Sequence, residues 1–105
     1  MDIKVNSDTA EFVSWLKAIE ALDVKEMTRM GSVSQIHKFK ADFGARYVRI
    51  SRDNSAHAFI DRTNGDVLMP ATWRSPAKHA RGNIFDATNG MKNMKWTGPA
   101  YMNEI

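Results

Sequence analysis

Residues 47–69, YVRISRDNSAHAFIDRTNGDVLM, hold the pattern that decides the fold class. Two runs rich in β-branched and aromatic residues, 47–52 and 56–61, flank Asp53, Asn54 and Ser55, which are residue types that favour a tight turn. They predict an antiparallel hairpin. A second turn follows at Thr63, Asn64, Gly65 and Asp66, where the Asn-Gly pair suits the positive φ angles of a type I′ turn, and Val67 to Met69 supplies a third strand. The alternation places Val48 and Ile50 on one face with Arg46 and Arg52, and Tyr47 and Arg49 on the other.

Upstream, Phe12, Trp15, Leu16, Ile19 and Leu22 recur at spacings of three and four, which predicts an amphipathic helix over residues 9–22. Asp8 as N-cap and Glu11 three residues on would form a capping box. Val24, Met27 and Met30 allow a short second helix ending at Gly31. Residues 32–43 read two ways: Val33, Ile36, Phe39 and Phe43 fit a helical period, whereas Phe39, Ala41 and Phe43 alternate as a strand does. Downstream, Pro70 ends the third strand, Ser75 can cap, Pro76 suits a first helical position and Gly82 can terminate, so residues 76–81 are expected to form a short helix. From Asn83 the chain lacks periodicity and reads as an irregular segment anchored by Ile84, Phe85, Trp96 and Tyr101. The expected fold is therefore α+β: an N-terminal amphipathic helix packed on a three-stranded antiparallel meander, followed by a short helix and an irregular C-terminal segment.

A length of 105 residues, 43% hydrophobic and 26% charged, suits a single domain with one core over residues 1–105. No apolar run reaches the ~18 residues that suggest a membrane span, and the N-terminus lacks a basic stretch followed by an apolar one. Without cysteine there is no disulfide framework and no thiol nucleophile, so a cytoplasmic protein stabilised by packing is expected.

The net charge of +3 is unevenly spread. Residues 1–35 hold more acids than bases, whereas within residues 70–98 Arg74, Lys78, Arg81, Lys92 and Lys95 face only Asp86. The segment WRSPAKHARG, residues 73–82, concentrates Arg74, Lys78, His79 and Arg81 behind a capped helix start, a combination suited to phosphate; the plainer reading is a solvated basic face. Arg46, Arg49 and Arg52 with Tyr47 form a second basic strip carrying an aromatic on which a base can stack, although basic residues also protect sheet edges. Trp15, Trp73 and Trp96 are most economically core residues.

Catalysis finds little support. His37, His57 and His79 lie twenty or more residues apart without a metal-ligand neighbour at helical spacing, and no phosphate-cradling glycine motif or nucleophile elbow occurs. No metal and no cofactor is expected. Asp61, Asp66 and Asp86 have the right chemistry for a metal-dependent nuclease, but Asp61 and Asp66 flank a turn where aspartate is expected anyway.

The runs RYVRI, AFIDRTNGDVLMPATWRSPAKHARGNIFD and GPAYM resemble a family of small uncharacterised proteins encoded by tailed bacteriophages. That resemblance spans roughly residues 46–86 and 98–102 and implies a protein acting in the cytoplasm of an infected bacterium. The function expected first is non-enzymatic binding of nucleic acid, DNA or RNA, through Arg74, Lys78, His79 and Arg81 with Arg46, Arg49 and Arg52. An inhibitor that binds a host protein comes second, and a small metal-dependent nuclease third.

Overall fold

A computed structural model describes residues 1–102. One helix, α1 (Ala10–Arg29), precedes strands β1 (Phe39–Phe43), β2 (Tyr47–Arg52), β3 (Ser55–Asp61), β4 (Asp66–Pro70) and β5 (Pro76–Asn83), with a 3-10 turn at Val33–Gln35. A small hairpin of β6 (Met94–Lys95) and β7 (Gly98–Pro99) follows. The five long strands make one antiparallel sheet in sequential order. The α+β class holds, but the three-stranded meander with a trailing short helix does not.

The sheet is wider than expected at both ends. On one side, the alternation of Phe39, Ala41 and Phe43 prevails over the helical spacing, because β1 completes the open edge of β2 with Ala41 opposite Ile50 and Phe43 opposite Val48. On the other, residues 76–81 form part of β5 and not a helix. A single helical turn closes few hydrogen bonds, whereas the same residues laid along β4 pair an edge that would otherwise be bare. Ser75 does not cap a helix: its carbonyl accepts from the N–H groups of Ala71 and Thr72, both at 3.0 Å, and turns the chain back. Proline sits at each mouth of this turn, Pro70 opposite Pro76, and the register slips between Leu68 and Pro70.

The register assigns the two faces. Phe43, Val48, Ile60, Val67 and Gly82 lie side by side across the five strands, while Asp42, Arg49, Phe59, Leu68 and Ala80 make the neighbouring row on the opposite face. The first face is covered by α1, whose Phe12, Trp15 and Ile19 join Val5, Val48, Ile50, Ala58, Ile60, Val67 and Ile84 in the core. Leu16 packs at its margin. The helix is a single element through Arg29, because nothing at residues 22–24 breaks it, and it stops where Gly31 (φ +72) lets Ser32 N–H reach Met27 O at 2.8 Å. The predicted capping box is absent: Thr9 is the N-cap, and no side chain caps the helix.

Asp23 faces inward from α1 with none of its surface exposed. One carboxylate oxygen accepts from the His37 N–H at 2.9 Å and the other meets His37 Nδ1 at 2.8 Å, tying the helix to the segment entering β1. His57 is the residue passed over in the register slip between β2 and β3, and it turns inward against the Phe39 ring, with centroids 5.1 Å apart.

The loop between β3 and β4 differs from a two-residue type I′ turn. Only Gly65 is left-handed there (φ +84), and its N–H closes the turn on Asp61 O at 2.7 Å. A β-carbon on Gly65 would lie 2.5 Å from Phe85 Cδ2 and 3.1 Å from Ile84 Cγ1. Gly65→Val combines that crowding with an unfavourable φ, so it is expected to cost about 1–3 kcal/mol in denaturant unfolding. An unchanged midpoint would refute this account of the turn.

The C-terminal segment is anchored by the buried Ile84 and by polar bonds, while Phe85 and Tyr101 are largely exposed. Asp86 Oδ1 accepts from Thr88 N–H, Thr88 Oγ1 and Gly90 N–H, and Asn89 Nδ2 donates to Ile84 O and Glu11 O, fastening the loop to α1. Among the described residues, no helix is long and apolar enough to cross a membrane.

Candidate functional site

The face of the sheet opposite α1 is where the basic residues meet. By alternation Arg49 points to this outer face and Arg52 to the inner one; likewise Ala80 shares the outer row, so its neighbour Arg81 points inward. Each basic strip of the sequence is thus divided between two faces. Arg52 donates to Trp96 O at 2.9 Å with its guanidinium over the Trp96 ring. Arg81, only 7% exposed, donates to Ala100 O at 3.1 Å and also to His79 O. Both arginines pin the β6–β7 segment to the sheet. His79 is exposed but lines neither of the two outer clefts.

What remains outside forms a continuous surface. Arg46, Arg49 and Arg74 line a cleft of about 320 Å³ with Tyr47 and Phe59. Arg46 and Tyr47 also wall a second cleft of about 480 Å³, which holds Lys78, Ser75, Leu68 and Asp61. Cations from β2, from the β4–β5 loop and from β5 therefore stand on one face, although 25 or more residues separate Arg49 from Arg74 and Lys78 in the chain.

Two of the four are internally paired. Arg46 reaches Asp61 at 3.1 Å and lies 5.2 Å over the Tyr47 ring, and Arg49 reaches Asp42 at 3.3 Å. The hydrogen bond and charge of Asp61 raise the Arg46 pKa. Burial alone would push Asp61 up, but bonds from the Thr63 hydroxyl and N–H and from Arg46 outweigh it and hold the carboxyl below its ordinary range. The Arg74 guanidinium and the Lys78 ammonium have no acceptor among the described residues.

Trp73 is the residue that the sequence misplaces. It is 44% exposed, and the Arg49 guanidinium lies 4.2 Å over its ring. The signal was its position in a short loop between Pro70 and Pro76, where burial in the core is not expected. Trp15 is the fully buried tryptophan.

A model for DUF7717, a family of unknown function, matches residues 1–102. The chain belongs to this family. No curated protein and no solved structure matches it. The DUF7717 match includes α1 as well as the sheet, so both faces of the sheet lie within it. Among the described residues, no group of three or more His, Asp and Glu side chains is placed to hold a metal ion. Asp61 and Asp66 share the larger outer cleft, while Asp86 is occupied in its own loop.

Proposed function

We propose that this chain is a non-enzymatic nucleic-acid binder whose interface is the outer face of the sheet. The observation that carries this reading is the convergence of Arg46, Arg49, Arg74 and Lys78 beside Tyr47 and Trp73. Arg74 and Lys78 are exposed and have no acceptor among the described residues, so on this face they are available to neutralise phosphates. Arg46 and Arg49, braced by carboxylates and lying over aromatic rings, shape the clefts between them. The resemblance to small phage proteins supports placing this activity in the cytoplasm of an infected bacterium.

A second reading, an inhibitor docking on a host protein, draws on the exposed apolar residues Val24, Met30, Val33 and Ile36 at the far end of α1.

Affinity for labelled random oligonucleotides, measured by fluorescence anisotropy from low to physiological salt, separates the two. The wild type should bind with a steep salt dependence. Arg74→Ala with Lys78→Ala should flatten the logarithmic slope by roughly 1.4–1.8, because each phosphate contact contributes ~0.7–0.9. The melting temperature should be unchanged, since both side chains are exposed. Absence of binding even at low salt would overturn the nucleic-acid reading and favour the host-protein one.

A further inference from the structure

We infer, on the basis of the nucleic-acid reading above, that the ligand is a single strand, one of whose bases stacks on Trp73 while its backbone runs past Arg74 and Lys78. Four features of the outer face point to unpaired bases.

The first is the indole itself. A tryptophan left 44% exposed is a large apolar surface in water, and here it is held in place. The Thr72 hydroxyl meets the Ser75 hydroxyl at 2.9 Å and accepts from the N–H groups of Arg74 and Ser75, so the loop carrying the ring is ordered before any ligand arrives. The second is the cation beneath it. Arg49 occupies one side of the ring at 4.2 Å and is itself fixed by Asp42 at 3.3 Å, so a base on the other side would complete a stack of guanidinium, indole and base.

The third is the acid content of the clefts. Asp42 lies in the smaller cleft and Asp61 and Asp66 in the larger, interleaved with the cations. A duplex would present regularly spaced phosphates to these carboxylates, which is electrostatically unfavourable. Unpaired bases present amino and ring N–H donors, which the half-buried carboxylates of Asp42 and Asp66 can accept. The fourth is shape. Two adjoining clefts with Arg46 and Tyr47 in their common wall offer recesses for splayed bases, whereas the bases of a duplex stay inside the helix.

The test compares three probes of equal length at low salt: a single-stranded oligonucleotide, its duplex, and an abasic strand that keeps the phosphates. The wild type should prefer the single strand by at least about tenfold and show quenched tryptophan fluorescence on binding it. Trp73→Ala should weaken single-strand binding by roughly 5- to 150-fold and leave the abasic strand unaffected, while Trp73→Phe, which keeps an aromatic face, should retain most of the affinity. Equal affinity for all three probes, with Trp73→Ala silent, would overturn the single-strand inference but preserve nucleic-acid binding. Failure to bind any probe would overturn both.

Discussion

Asp23→Ala is expected to lower the free energy of unfolding by about 3 kcal/mol, and by up to ~5 if the site does not relax. The carboxylate is fully buried, and both oxygens are engaged by His37, one through the backbone N–H and the other at the ring. Alanine removes the acceptor and leaves the His37 N–H without its partner beside the core. Against a total stability of ~5–15 kcal/mol for a domain of this size, that is a severe loss. Asp23→Asn provides the control. Its carbonyl oxygen can still accept from the His37 N–H, and its amide can donate to a neutral imidazole Nδ1, so it should recover a substantial part of the deficit. Chemical unfolding of the three proteins at neutral pH decides the matter. If alanine and asparagine cost the same small amount, the Asp23–His37 link does not hold the helix to the sheet.

His57 should make the fold acid-sensitive from about pH 6.5 downward, before the carboxylates begin to titrate. Its imidazole is 4% exposed, and burial, followed by the charge of Arg52, lowers its pKa from 6.5 to about 4; Asp23 opposes this and His37 adds to it. The folded protein therefore keeps His57 neutral between these values, while the unfolded chain takes up a proton. Stability contributed by the neutral imidazole is complete above pH 6.5 and is lost as the pH falls towards 4, amounting to about 3 kcal/mol. His57→Gln, which does not titrate, should lack this segment of the pH profile whatever its stability at neutral pH. The difference between the two unfolding curves over that window isolates the effect from the other titrating groups. Parallel curves would mean that His57 protonates without penalty. Below this window Asp61 and Asp86, whose folded pKa values are lowered, should add a further acid loss.

The local patterns of the sequence were reliable where their hydrogen bonds or their burial were themselves local. The hairpin of β2 and β3 follows from β-branched runs on either side of Asp53 and Asn54, and the inward face of α1 follows from the spacing of Phe12, Trp15 and Ile19. Signals failed where a residue type serves two structures equally well. Ser75 and Pro76 suit the start of a helix and also the mouth of a strand, and Asp8 with Glu11 matches a capping box that the chain does not use. Nothing local announced that Asp23, an acid in a helix, would be buried, because its partner His37 lies fourteen residues away.

For the candidate interface the same division holds. The sequence by itself determined that this is a basic, cysteine-free α+β chain with cations crowded at residues 46–52 and 74–81, since composition and short-range periodicity are properties of the chain alone. Only the tertiary structure decided which of those cations can act together. Residues three apart share a face on a helix but take opposite faces on a strand, so pairing residues 76–83 with β4 sent Lys78 outward and buried Arg81. The same pairing folded Trp73 over Arg49 and joined two distant basic segments on one surface. That choice was made by the unsatisfied edge of β4, which lies in neither segment's own sequence.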